Sequence, residues 1–262
     1  MKQKTIAKEF SLAGIGLHSG KPASLFFSPA PPNSGIYFIK ANHKIPARAG
    51  QVKATRRGTS LDGIAVVEHL LAAAGGLGID NLQIEIKGDE LPVMDGSALP
   101  YVEALEKAGL VEQKENTDPL ILKRPLKVVE NQASLLALPF HGFKIDFMVD
   151  FKVIGQQCFV FEAAPGAFKK EIAAARTFGY LEEYELLKEQ GLARGASFEN
   201  ALVLGKDGYL NTPRFPDELV RHKILDLIGD LSLLGRPLRA EIRARGSGHK
   251  LNIELVRRLL NK

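Results

Sequence analysis

The chain has 262 residues, 45% of them hydrophobic and 25% charged, enough apolar material for one large domain or two of ordinary size. Cys158 is the single cysteine, which excludes an internal disulfide and any multi-cysteine zinc site, so a metal here must be held by His, Asp or Glu. Thirty-five Lys and Arg against 30 Asp and Glu leave +5, but the basic residues are dispersed and Trp is absent; this argues against a nucleic-acid partner and leaves a small anionic substrate open.

The N-terminal "MKQKTIAKEFSLAG" carries charge but no apolar core of signal-peptide length. No segment approaches the roughly 18 to 20 apolar residues of a membrane span, so a soluble, cytoplasmic protein is expected. "GIGLHSG" (14–20) reads GxGxxxG and runs into the strand-like "KPASLFF" instead of a helix. It is therefore a glycine-rich turn presenting His18 and not a nucleotide loop. After the β-rich "SLFFSP" and "GIYFIK", an apolar helical pattern starts at Val66 ("VVEHLLAAAGG"), followed by an alternating strand ("NLQIEIKG"). A Pro/Gly loop ("DELPVMDGS") leads to a second helix ("ALPYVEALEKAGL").

The polar break "EQKENTDP" (112–119) reads as a linker between halves. Beyond it lie the β-rich "PLKVVE", "SLLALPF" and "KIDFMVDF", a helix from Leu219 to Leu234 ending at Gly235, the strand "LRAEIRAR", the loop "GSGHK" and a terminal helix "LNIELVRRLL". The order helix, strand, glycine loop, helix thus occurs twice, without detectable residue identity between the halves. Strands followed by helices, twice, predict an α+β protein.

Of six histidines, His43 and His141 sit in loops without acidic or hydroxyl neighbours and are expected at the surface. His222 and Asp226 stand one turn apart on an otherwise apolar helix, and positions four apart share a helix face. Such a pair serves as a solvated face, a cap or two metal ligands. Glu68 and His69 interrupt an even more apolar helix, where a charge needs a partner. Joined as His69, His222 and Asp226 with Glu68 as base, they make a hydrolytic zinc constellation. A packed His and a solvent-reaching Glu remain the alternative.

"VVEHLLAAAGGLGIDNLQIEIKGDELPVMDGSALPYVEAL" and "VRHKILDLIGDLSLLGRPL", with "AARTFGY", "ASFENALVLG" and "GSGHKLN", resemble the UDP-3-O-acyl-N-acetylglucosamine deacetylase (LpxC) family of lipid A biosynthesis, and the likeness runs from "FSLAGIGLHSG" to the last helix. The resemblance implies two similar α+β domains in a β-α-α-β sandwich, helices packed between two sheets and the active site at their junction. Their bounds become 1–113, with a small insert near 48–60, and 119–262, with an insert near 180–196 that forms an acyl-chain passage.

By the same resemblance, zinc is the cofactor and His69, His222 and Asp226 hold it. Glu68 becomes the general base, His249 the second catalytic histidine held by Asp230, Thr177 the donor to the developing oxyanion, and Lys223 a lysine reaching the substrate. His18, Phe178, Tyr180, Leu181, Tyr184, Leu192 and Arg245 are carried over as substrate-binding, with Leu187 beside them at helical spacing. The chain departs from the family at Gly246, where a basic residue is expected three places before the catalytic histidine; Arg245 lies one place further back. The implied reaction is zinc-dependent removal of the N-acetyl group from UDP-3-O-(3-hydroxyacyl)-N-acetylglucosamine, the committed step of lipid A biosynthesis. The implied partner is that small molecule, with no nucleic acid, no transmembrane segment, room for transient contact with a membrane surface, and a monomer as the working form. A deacetylase of another acetylated sugar and a catalytically silent nucleotide- or lipid-binding relative are the competing expectations.

Overall fold

The computed structural model describes residues 1–261. In the first half, the hairpins Phe10–Ile15/Pro22–Pro29 and Ile36–Lys40/His43–Pro46 flank a central strand, Leu82–Lys87. That strand runs antiparallel to the first hairpin and parallel to the second. In the second half, the hairpins Leu126–Glu130/Ala133–Leu138 and Phe143–Phe151/Gly155–Glu162 flank Leu238–Arg245 with the same two polarities. The repeated order of elements is thus a repeated topology. Alternation explains the burial of each central strand: Leu82, Ile84 and Ile86 point inward in one, Leu238, Ala240, Ile242 and Ala244 in the other.

The helices in chain order are α1 (Glu68–Gly76), α2 (Leu99–Ala108), α3 (Ala167–Glu171), α4 (Leu181–Glu189), α5 (Glu218–Ser232) and α6 (His249–Leu260). A strand entering parallel to its neighbour needs a crossover. In the first half that crossover carries α1, in the second α5. Both helices are buried nearly all round, the mark of an element enclosed by others. They pack against each other between the sheets in one continuous apolar core.

Their approach is close because α5 has no side chain at Gly229. A Cβ there would lie 2.1 Å from the Glu68 carbonyl oxygen. Gly229→Ala should therefore force the helices apart at Glu68 and destabilise the fold by about 1 to 3 kcal/mol or more. A denaturation midpoint equal to that of the parent would show that this contact tolerates displacement.

Three sequence expectations change. Most of the 112–119 break is strand: Leu110–Asn116 pairs antiparallel with Lys2–Ile6. We propose dividing the domains in the short stretch 117–119 that remains. Helix α1 begins at Glu68 instead of Val66, because Val66 has a positive φ of 58°, a left-handed conformation that a β-branched residue rarely adopts. His43 opens a strand, although it is exposed as expected. No helix among the described residues is long and apolar enough to cross a membrane.

Candidate metal centre and active site

The α1/α5 contact brings His69 from one half against His222 and Asp226 from the other. The two imidazoles meet edge to face with centroids 5.0 Å apart. Asp226 Oδ1 lies 3.4 Å from His222 Nε2 and 3.8 Å from His69 Nε2. His222 Nδ1–H donates to the Ala175 carbonyl at 3.1 Å, which fixes the tautomer and leaves the Nε2 lone pair free. Burial holds His69 down at about 3, with His222 adding to the effect. Burial also lowers His222, against the pull of Asp226. Both rings are therefore neutral and ready to ligate. Burial would raise Asp226, but His222, His249, Lys223 and His69 outweigh it and hold the carboxylate at about 2.

Asp226 Oδ1 is buried without a hydrogen-bond partner among the described residues. A buried anionic oxygen with no donor is costly, and this one shares its space with two imidazole lone pairs. The donor set of two neutral nitrogens and one carboxylate suits a divalent transition metal, with a position left for water. The residues fit such an ion.

Facing this group are Glu68 and His249, with Glu68 Oε1 and His249 Nε2 separated by 3.8 Å. Burial pushes Glu68 up to about 7, partly offset by His249. Burial would lower His249, but Asp230 and Asp226 reverse the effect and raise it to about 10. His249 Nδ1–H donates to Asp230 Oδ2 at 2.8 Å, so Nε2 is the nitrogen turned toward Glu68. A base near neutrality opposite a protonated imidazole is an arrangement for moving a proton onto and off a reacting group.

Lys223 Nζ lies 3.7 Å from Asp226 Oδ2. Thr177 borders the same cavity, its backbone N–H donating to the Gly96 carbonyl at 2.7 Å. The preceding Arg176 forms a buried pair with Glu218, the first residue of α5, through Nε to Oε1 at 2.9 Å. This pair, which sequence reasoning missed, ties the Thr177 loop to the helix carrying His222 and Asp226. Forty-two positions separate its members, so no local pattern announces it.

The cavity holds about 1090 Å³, at the upper end of small-molecule sites. Tyr180, Leu181, Tyr184 and Leu187 line the same cavity. Leu192 is not among the lining residues. Phe178 borders the cavity but also stacks edge-on against His222, 5.9 Å between centroids, so it buttresses a candidate ligand. Arg245 also lines the cavity, with its guanidinium engaged by Asp146 at 3.2 Å. His18 lies at the cavity with both ring nitrogens occupied: Ala193 N–H donates to Nδ1 and Nε2–H donates to the Arg57 carbonyl. The imidazole therefore joins the loops at 57 and 193.

A family model described as UDP-3-O-acyl N-acetylglycosamine deacetylase, LpxC, matches residues 3–261. The chain is 44% identical over 271 residues to the UDP-3-O-acyl-N-acetylglucosamine deacetylase of Myxococcus xanthus (strain DK1622), covering 99% of the chain and 86% of that protein. It is 43% identical over 275 residues to the enzyme of that name from Saccharophagus degradans, covering 98% of the chain and 91% of that protein. Against the Coxiella burnetii (strain RSA 493 / Nine Mile phase I) enzyme of that name it is 41% identical over 274 residues, covering 99% of the chain and 90% of that protein. A match that takes in α1, α5 and α6 together, with every residue of the metal group and the acid–base pair inside it, leaves one conclusion: the chain belongs to the LpxC family of UDP-3-O-acyl N-acetylglycosamine deacetylases.

Proposed function

We propose that this protein is a zinc-dependent hydrolase that removes the N-acetyl group of UDP-3-O-(3-hydroxyacyl)-N-acetylglucosamine, giving acetate and the free amine, in the committed step of lipid A biosynthesis. The carrying observation is the unpartnered Asp226 Oδ1 beside two neutral imidazoles, opposite a carboxylate and an imidazole whose proton affinities are displaced upward. His69, His222 and Asp226 would hold the metal. A divalent ion bound there supplies Lewis acidity, making water easier to deprotonate and the amide carbonyl easier to attack.

The chain's own groups account for the rest. Ionised Glu68 takes a proton from a water molecule as the water oxygen bonds to the acetamide carbon. The carbonyl oxygen gains negative charge, which the Thr177 hydroxyl stabilises by donating to it. As the carbon–nitrogen bond breaks, protonated His249 gives its Nε2 proton to the amine nitrogen. Asp230 keeps the His249 ring oriented throughout. Lys223 and Arg245 supply positive charge near the anionic nucleotide. The test is metal analysis of purified protein combined with acetate release from the acylated nucleotide sugar. Acetate release indifferent to the acyl chain would favour another acetylated sugar instead.

The acyl passage yields a sharper expectation. Leu187 borders the cavity and Leu192 does not. Withdrawing a leucine from acyl contact removes apolar burial worth roughly 1.5 to 3 kcal/mol, about tenfold or more in affinity. Leu187→Asn should thus lower kcat/KM for the long-chain substrate by that factor and spare the unacylated one. Leu192→Asn should lower the melting temperature and affect both substrates equally. Equal losses in Leu187→Asn would remove the passage from α4.

A further inference from the structure

Thr59 is fully buried in the loop that precedes α1, and neither the residue pattern nor the family resemblance singles it out. Its backbone N–H donates to Glu68 Oε2 at 2.9 Å. Its hydroxyl donates to Asp230 Oδ1 at 2.5 Å and stands 3.3 Å from His249 Nδ1. The residue therefore contacts both catalytic partners, Glu68 directly and His249 through its aspartate.

Donor counting fixes the direction of each bond. A threonine hydroxyl has one proton, and an ionised carboxylate can only accept, so that proton points to Asp230. The lone pairs of the hydroxyl are left facing the Nδ1–H of His249. The other oxygen of Asp230 accepts from His249 Nδ1 at 2.8 Å and from Asn252 Nδ2 at 2.9 Å. His249 Nδ1–H is thus held between two acceptors, which sets the ring plane and turns Nε2 to the cavity. On the other side, the Thr59 N–H occupies Oε2 of Glu68, so Oε1 is the oxygen that faces His249.

The loop is built for this approach. Gly58 has φ +146°, and a Cβ there would come within 3.0 Å of Glu68 Oε1, the free oxygen. The Thr59 carbonyl accepts from Val67 N–H at 3.1 Å, pinning the loop to the start of α1. Ser60 pairs with Ala54 across the same loop.

We propose that Thr59 is a positioning residue that keeps the base Glu68 and the acid His249 in register, its peptide selecting the free carboxylate oxygen and its hydroxyl orienting the imidazole through Asp230. The proposal rests on the assignment of Glu68 and His249 as base and acid. It adds a third element, the first insert, to a pair otherwise carried by α1 and α6.

Thr59→Val keeps the shape and the backbone donor but leaves Asp230 Oδ1 without its hydroxyl. Partners of this kind typically contribute about 10- to 100-fold to activity. The expected result is a fall of that size in kcat, normalised to folded, metal-loaded protein, with KM unchanged and one metal per chain retained. Thr59→Ser, which restores the hydroxyl, should recover most of the loss; Thr59→Ala replaces the valine variant should that not fold. In an Asp230→Ala background, Thr59→Val should add little, because the hydroxyl acts through Asp230. Parent-like kcat in Thr59→Val, with Glu68→Gln inactive in the same assay, would overturn the positioning role and leave the reaction assignment standing. Equal losses in Thr59→Val and Thr59→Ser would also overturn it, as that is the signature of packing alone. Full activity in Glu68→Gln would overturn both.

Discussion

Asp226→Ala is expected to empty the metal site and abolish acetate release in one step. Asp226 contributes the only carboxylate of the three-residue group, and its Oδ1 has no hydrogen-bond partner among the described residues. Held at about 2 against burial by His222, His249, Lys223 and His69, it is anionic at every working pH. Its removal leaves two neutral imidazoles, one donor short of the three protein ligands that catalytic zinc sites use. It also strips Lys223 and His249 of a neighbouring negative charge. Asp226→Asn, which keeps the volume and loses the charge, should fall between the parent and the alanine variant in metal affinity.

Two measurements check this independently of turnover. Metal content per chain should drop from one to near zero in Asp226→Ala. A chelator should lower the melting temperature of the parent, because a ligand bound only by the folded state stabilises it by mass action. The same chelator should leave Asp226→Ala unmoved. Retention of both metal and turnover would show that the ligands lie elsewhere.

What the sequence revealed and what it hid follow from the range of the interactions. The helix carrying His222 and Asp226 is legible because four-residue spacing is local, and the apolar surroundings of both that pair and Glu68–His69 signal burial. The two halves are legible as an order of elements, but the five-strand topology they share is not, since it lies in pairings between distant segments. The segment 112–116 was hidden for a different reason. Most residues of Leu110–Asn116 are exposed, so this strand, unlike its partner Lys2–Ile6, has no buried face to impose apolar alternation, and composition alone reads as a linker. The Thr59–Asp230 hydrogen bond and the Arg176–Glu218 pair were hidden because their members lie far apart along the chain. Leu192 shows the converse limit: helical spacing grouped it with Leu187, but it follows the end of α4 and does not reach the cavity lining.

Glu68→Gln and His249→Ala should each lose about 10²- to 10⁴-fold in kcat, the usual contribution of a general base or acid, while keeping the metal. The signs of the displaced proton affinities say how the pH profile should change. As the proposed base, Glu68 would work only when ionised, so activity should fall as pH drops through its pKa. Burial places that at about 7, and the positive charge of a divalent ion held by His69, His222 and Asp226 would pull it lower, which would put the acid limb of the profile below neutrality. As the proposed acid, His249 would work when protonated, so activity should fall as pH rises through its pKa, which Asp230 and Asp226 hold at about 10 against burial. The parent profile is then a bell whose two limbs belong to the coupled pair. Glu68→Gln should flatten the acid limb, and His249→Ala the alkaline one, each at a lower plateau. Asp230→Asn removes the negative charge opposite His249 and should move the alkaline limb downward in pH without moving the acid limb to the same extent. Metal loss in Glu68→Gln would make Glu68 a ligand and reassign the base. A parent-like alkaline limb surviving in His249→Ala would give that limb to another ionisation, leaving the acid to be sought elsewhere in the cavity.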